Sequence, residues 1–182
     1  MPTIICDSRQ QTRNLSHKAK EKYFADHGIK VLRSKLPCGD YSRMDDMSTV
    51  IDTKDGLQEV VSNVCGKEHE RFRNECILAQ ENGIKLIILV EDDTTDKNGR
   101  YIINDIRDVR HWQNPRRSIM ETKVINGVKC RVQKYPKATT GMVLMKAMYT
   151  MHLRYGVEWR ICRKADAGKV ICEILGIGGD TT

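Results

Sequence analysis

Short aliphatic runs alternate with amphipathic stretches along this chain, and several runs close on an acidic residue. Thr3 to Cys6 reads as a buried strand ending at Asp7. Leu15 to His27 has helical spacing, with Leu15, Ala19, Tyr23 and Phe24 on one face and Gly28 as the stop. Ile29 to Leu32 is the next strand, and Pro37 and Gly39 punctuate a turn before Asp40-Tyr41-Ser42. Thr49 to Thr53 follows as a strand, and Asp55-Gly56 opens a helix to Asn63. A second helix covers Glu68 to Gln80, stopped by Asn82-Gly83. Lys85 to Val90 is the most strongly patterned strand, closing on Glu91-Asp92-Asp93.

Beyond a polar loop from Asp93 to Gly99, the spacing predicts a short helix over Ile103 to Trp112. Asn126-Gly127, between Lys123-Val124-Ile125 and Val128-Lys129-Cys130, specifies a hairpin. Thr140 is placed to cap a helix that ends at Tyr155, with Gly156 beyond it. Met142, Met145, Met148 and Met151 recur on that helix, a stripe suited to core packing or to a contact in a homodimer. Val157 to Cys162 reads as a strand and Ala165 to Leu175 as a closing helix. Helices alternating with strands around one apolar strand predict an α/β class, a mixed central β-sheet flanked by helices.

At 182 residues the chain is expected to form one domain over 1–182. With 40% hydrophobic and 30% charged residues, disorder, collagen and coiled-coil arrays are excluded. The longest aliphatic run, Leu86 to Val90, falls far short of the ~20 residues that span a bilayer. The amino terminus has no basic region or small-residue cleavage site, so a cytoplasmic location and no membrane partner are expected. Seven cysteines without a C-x-x-C point to free thiols in a reducing compartment. Cys65 and His69 sit one helical turn apart and could share a metal; a buried thiol beside a surface imidazole is the simpler account.

The net charge of +7 is concentrated. Between Arg100 and Lys137 there are ten basic residues against three acidic ones, so this segment carries the whole excess. Arg107, Arg110, Arg116, Arg117, Lys129 and Arg131 are its candidate DNA contacts. A localised cationic segment suits a phosphate-rich partner, because each neutralised phosphate releases counterions. A solvated face serving solubility alone is the competing account.

The chemistry-bearing stretch is Gly39-Asp40-Tyr41 followed by Val50-Ile51-Asp52-Thr53-Lys54. Side chains at i and i+2 of a strand share a face, so Asp52 and Lys54 project together. If the Asp40 turn folds beside them, two carboxylates and one ammonium converge. Paired carboxylates repel unless a cation neutralises them, and hard oxygen ligands with open positions suit Mg²⁺ or Mn²⁺. Lys54 could then orient an attacking water or meet the charge that develops on a phosphoryl group.

The string Leu36-Pro37-Cys38-Gly39-Asp40-Tyr41, then Asp52-Thr53-Lys54, resembles the XPF-type structure-specific endonucleases, a branch of the PD-(D/E)-x-K superfamily. Ile5-Cys6-Asp7-Ser8-Arg9 is similar to that family's first strand, Arg71-Phe72 to a following helix, and Leu86 to Glu91 to its next buried strand. The resemblance implies a restriction-endonuclease-like core and Mg²⁺- or Mn²⁺-dependent cleavage of branched or flapped DNA. It implies Asp40 and Asp52 as metal ligands and Lys54 as the catalytic lysine. Asp7 becomes a further acidic residue at the site rim, Arg9 a phosphate-facing cation and Arg71 an auxiliary positioner.

Four positions depart from the family pattern. Asp52 stands for the usual Glu, Thr53 for Arg, Gln58 for the last Asp and Gln10 for a Glu. Glu59, beside Gln58, points about 100° away on a helix and is a poor substitute. Many relatives carry a helix-hairpin-helix module after the nuclease domain. Only Gly176 to Thr182 follows Leu175 here, so the resemblance is to the stand-alone versions of bacteria and phages, with DNA binding supplied by the domain itself. A bacterial or phage-infected cell is the implied location. The competing class is a non-catalytic DNA-binding module, a degenerate nuclease subunit, motivated by Thr53, Gln58 and Gln10. A junction resolvase is a further reading within the enzyme class.

Overall fold

In the computed structural model, residues 2–10 and 15–177 are described, except for the side chains of residues 15 and 16. Leu15's place on the α1 face and the glycine-rich tail at 178–182 therefore lie outside the described residues. The chain runs β1 (Thr3–Asp7), α1 (Leu15–Asp26), β2 (Lys30–Ser34), β3 (Tyr41–Arg43) and β4 (Thr49–Lys54). It continues through α2 (Leu57–Cys65), α3 (His69–Glu81) and β5 (Lys85–Glu91). Two 3₁₀ turns (Ile106–His111 and Pro115–Ser118) lead to β6 (Met120–Ile125) and β7 (Val128–Gln133). Then come α4 (Gly141–Tyr155), β8 (Glu158–Cys162), a 3₁₀ turn (Lys164–Asp166) and α5 (Ala167–Ile174).

Six strands form one mixed sheet in the order β2-β1-β3-β4-β5-β8, and β6 and β7 form a separate hairpin. β1 is parallel to β2, β3 is antiparallel to β1 and β4, and β4, β5 and β8 run parallel. The alternation of apolar positions explains the layers. Val50, Ile88 and Val90 face α2, α3 and α4, with Val60, Phe72, Leu144 and Met148 in that core. Ile51, Ile87 and Leu89 face α1 and α5, with Phe24 and Ile171. A central strand buried on both faces needs a near-continuous apolar run, which Leu86–Val90 supplies.

This topology gathers one end of the sheet. The carboxyl ends of β1, β4 and β5 coincide there with the amino end of β3, through the registers Cys6↔Tyr41, Tyr41↔Ile51 and Lys54↔Val90. Gly39 makes the close approach before β3 possible. Its φ is +63°, and a Cβ there would lie 2.5 Å from Val50 Cγ1 and 3.0 Å from the Ile51 carbonyl oxygen.

Three elements differ from their sequence reading. The predicted helix over Ile103 to Trp112 contracts to the 3₁₀ turn Ile106–His111, where Asp105 accepts from the Arg107 N–H. The methionine stripe splits: Met148 and Met151 are buried beside Leu144, whereas Met142 is 45% exposed. A three-residue step falls ~60° short of a full turn, so such a stripe drifts off the core face. Cys65 is exposed rather than buried, and all seven cysteines are free thiols. Among the described residues no helix is long and apolar enough to cross a membrane.

Replacing Gly39 by Ala is expected to cost about 3 kcal/mol, from left-handed backbone strain together with overpacking. Urea unfolding of the G39A variant measures it; a loss under ~0.5 kcal/mol contradicts the steric requirement.

Candidate active site

Asp52 and Lys54 alternate on β4, so both side chains fall on the α2–α3 face of the sheet, at its carboxyl end. Each residue is only 5% exposed. The Lys54 ammonium lies 2.6 Å from Asp52 Oδ2 and sits over the Phe72 ring, 5.5 Å from its centroid. Apart from this close ammonium, Oδ2 has no hydrogen-bond partner among the described residues.

Asp40 arrives from the glycine turn. Its N–H donates to the Ile51 carbonyl and its own carbonyl accepts from the Asp7 N–H, each at 2.8 Å, which locks the turn between β1 and β4. Its carboxylate Oδ2 accepts from the Thr53 N–H at 2.8 Å and the Thr53 hydroxyl at 2.6 Å. Gln10 Nε2 in turn donates to that hydroxyl at 3.2 Å. Two of the positions that depart from the family pattern thus meet each other, and the neutral relay they form ends on Asp40.

The structure brings Asp7, Arg9, Asp40, Asp52, Lys54 and Arg71 to one open cavity of about 870 Å³. Their roles there differ. The Asp7 carboxylate is already engaged, by the Arg9 N–H, Nε and Nη2 and by the Leu36 N–H. Burial alone would raise its pKa, but the Arg9 guanidinium and the two backbone donors outweigh it and hold the carboxyl down at about 2. Asp7 is therefore a positioning residue for Arg9 and the Leu36 loop, not an open ligand. Arg71 leans on Glu68 at 3.2 Å while still lining the cavity.

Two further acidic residues line the site. Glu75 on α3 accepts from the Gly39 N–H at 2.8 Å and so braces the turn that carries Asp40. Glu59 lines the cavity and accepts from the Asp55 N–H at 2.7 Å, whereas Gln58 buries an unpartnered Oε1 away from it. Glu59 reaches the cavity because helical side chains tilt toward the amino terminus, and the α2 amino terminus opens on the cavity. The ion pair Lys20–Glu91 also lines it, from the α1 side.

The cationic segment is not uniform. Arg107 is held bidentately by Asp105. Arg110 and Arg117 line a second cavity of about 570 Å³, and Arg116 sits over the Tyr135 ring. Lys129 and Arg131 are exposed on β7. None of these lines the acidic cavity.

Around the acidic cavity, seven carboxylates stand against four Lys and Arg side chains. Burial, with Asp40 and Glu75 nearby, pushes the Asp52 carboxyl up to about 8, and Lys54 offsets this only in part. Burial also works against the Lys54 ammonium, but Asp52 and the neighbouring glutamates hold its pKa above the ordinary lysine value. This excess of negative charge fits a hard divalent cation. Among the described residues no three His, Cys, Asp or Glu side chains form a ready-made cage. Mg²⁺ needs none, since one or two carboxylates with water and phosphate oxygens suffice. Asp40 and Asp52 are the residues that would hold it.

A family model described as the ERCC4 domain matches residues 6–174. The chain belongs to the ERCC4 domain family. The fold is that of XPF from Aeropyrum pernix, with a TM-score of 0.56 at 16% identity over 96% of this chain. The same archaeal protein in complex with DNA superposes with a TM-score of 0.57 at 15% identity over 97% of this chain. The ERCC4 chain spans 63% and 64% of those two structures. Among curated proteins nothing matches.

Since a metal ion needs the ionised carboxylate, Asp52 must lose its proton on binding. Apparent Mn²⁺ affinity, read by calorimetry, is therefore expected to weaken as the pH falls from 8 to 6, because burial raises the Asp52 pKa above the ordinary carboxylate value. The Asp52→Asn variant should lose this dependence along with the affinity. A flat profile between pH 6 and 8 in the wild type contradicts the assignment.

Proposed function

We propose that this ERCC4 domain is a divalent-metal-dependent endodeoxyribonuclease that hydrolyses a phosphodiester in branched or flapped DNA. The observation that carries the reading is the convergence of Asp40, Asp52 and Lys54 in one open, negatively charged cavity. Bound Mg²⁺ or Mn²⁺ supplies Lewis-acid stabilisation of the phosphoryl oxygens and a more acidic water.

The chain's own groups do the rest. Lys54, fixed by Asp52 and the Phe72 ring, offers a directed ammonium to the attacking water or the developing phosphoryl charge. Arg9, oriented by Asp7 and the Leu36 carbonyl, presents its half-exposed guanidinium to a neighbouring phosphate. Thr53 and Gln10 hold Asp40 without adding charge. In-line attack with the 3′ oxygen leaving gives a 5′-phosphate product.

The competing reading, a degenerate DNA-binding subunit, draws on the absence of Arg at 53, Glu at 10 and Asp at 58. The contact between Gln10 and Thr53 speaks against decay: one hydrogen-bonded pair stands where the family pattern has a charged one. Glu59 adds a carboxylate to the cavity that Gln58 does not reach.

Purified protein with Mg²⁺ or Mn²⁺ is expected to nick labelled flap or junction oligonucleotides, and chelation should stop it. Asp52→Asn and Lys54→Ala should each slow cleavage by about a thousandfold. Salt-sensitive DNA binding with no hydrolysis under any divalent ion would favour the non-catalytic module instead. A substrate panel separates flap cleavage from junction resolution.

A further inference from the structure

The β6–β7 hairpin stands outside the main sheet, and the site described above uses none of it. Isolated two-stranded hairpins are marginal in water. This one leaves Val124 66%, Ile125 47% and Val128 62% exposed around its Asn126-Gly127 tip. Such exposure at the end of a projecting arm calls for a partner.

The pairing register divides the hairpin into two unlike faces. Lys123 lies opposite Cys130 on one face, and its ammonium is paired with Glu121 at 2.9 Å. On the other face Thr122 opposes Arg131 and Val124 opposes Lys129. Neither Arg131 nor Lys129 has a carboxylate partner among the described residues. Gln133, two residues on and on that same face, donates from Nε2 to the Arg117 carbonyl at 2.8 Å. The Arg117 guanidinium is in turn fixed on the Ala138 carbonyl at 3.0 Å, and with Arg110 it lines the second cavity, which has no acidic residue in its wall. The cations are thus continuous from the cavity onto one face of the arm.

The arm also projects from the right place. It is inserted between the carboxyl end of β5 and the amino end of α4, and α4 runs back to the start of β8, which is parallel to β5. Its root is therefore at the same end of the sheet as the acidic cavity.

We infer that the β6–β7 hairpin is a nucleic-acid arm, with Lys129 and Arg131 on the phosphate backbone beside the cut and the Val124–Val128 tip against bases exposed where a duplex branches. This deepens the nuclease reading and rests on DNA being the substrate. Charge complementarity selects the partner: a second copy of this chain would bring the same unpaired cations face to face. A two-stranded ribbon also fits the major groove, and apolar wedges pack against unstacked base steps.

The full chain is titrated in EDTA, so that nothing is cut, against fluorescein-labelled forked and plain duplex oligonucleotides over a salt series. The Lys129→Ala/Arg131→Ala double variant is expected to lose about tenfold in affinity at low salt. Its slope of log K against log salt should shrink by about two. The Val124→Ser/Val128→Ser variant should lose preference for the fork over the duplex, about fivefold. Unchanged slopes in variants with wild-type circular dichroism and melting overturn the proposal. So does a changed sedimentation coefficient with DNA affinity intact, which makes the arm a protein contact. Because this readout needs no hydrolysis, arm-dependent binding here, combined with no cleavage in the separate Mg²⁺ or Mn²⁺ assay, would sink the nuclease reading and leave DNA binding by the arm standing.

Discussion

The Lys54 ammonium and the Asp52 carboxylate lie 2.6 Å apart, both nearly sealed from water, at the carboxyl end of a central strand. Taking two ions out of water costs several kcal/mol each, and their attraction offsets that only when other groups complete the site. Here the completion is deficient: Asp52 Oδ2 lacks an aligned hydrogen bond, and Asp40 and Glu75 add charge of the wrong sign. A fold selected for stability alone has no reason to hold this arrangement. The proposed site for a divalent ion and a phosphate would have one, because the ion would supply the missing positive charge and the ammonium is already in place.

The surroundings follow from that demand. Asp40 must stand beside Asp52 without sharing its strand, so a left-handed glycine carries the chain against Val50 into β3. Glu75 braces the glycine N–H, and the Gln10–Thr53 relay fixes the Asp40 carboxylate. The negative cavity and the cationic segment then divide the work. On the proposed reading a polyanion would be attracted by the arm and the second cavity, and the acidic pocket would admit its backbone once a metal ion had reversed the local field.

Much of this was legible in the residues. Period-two alternation predicts that Asp52 and Lys54 share a face, and they do. Asn126-Gly127 specifies a hairpin, and Thr140 and Gly156 bound α4 as caps. Local chemistry decides these features. What stayed hidden depends on how elements pack. Glu75 reaches Gly39 only because α3 packs on the face of the sheet that carries β4 and β5 residues Val50 and Ile88, a relation across 36 residues that no local pattern encodes. Glu59 lines the cavity by the tilt of helical side chains toward the amino terminus, which rotation around the helix axis alone does not give. The meeting of Gln10 with Thr53, 43 positions apart, needed the sheet order. The engagement of Arg107 by Asp105, two residues earlier, likewise depends on the local turn and not on composition.

The central claim is that Asp40 and Asp52 together receive one divalent cation beside a pre-placed Lys54. Anomalous diffraction from crystals grown with Mn²⁺ tests it most directly. A manganese peak within coordinating distance of both carboxylates, with the Lys54 ammonium still beside Asp52, is the predicted result. A peak elsewhere in the molecule, or none at millimolar Mn²⁺ and pH 8, would contradict it.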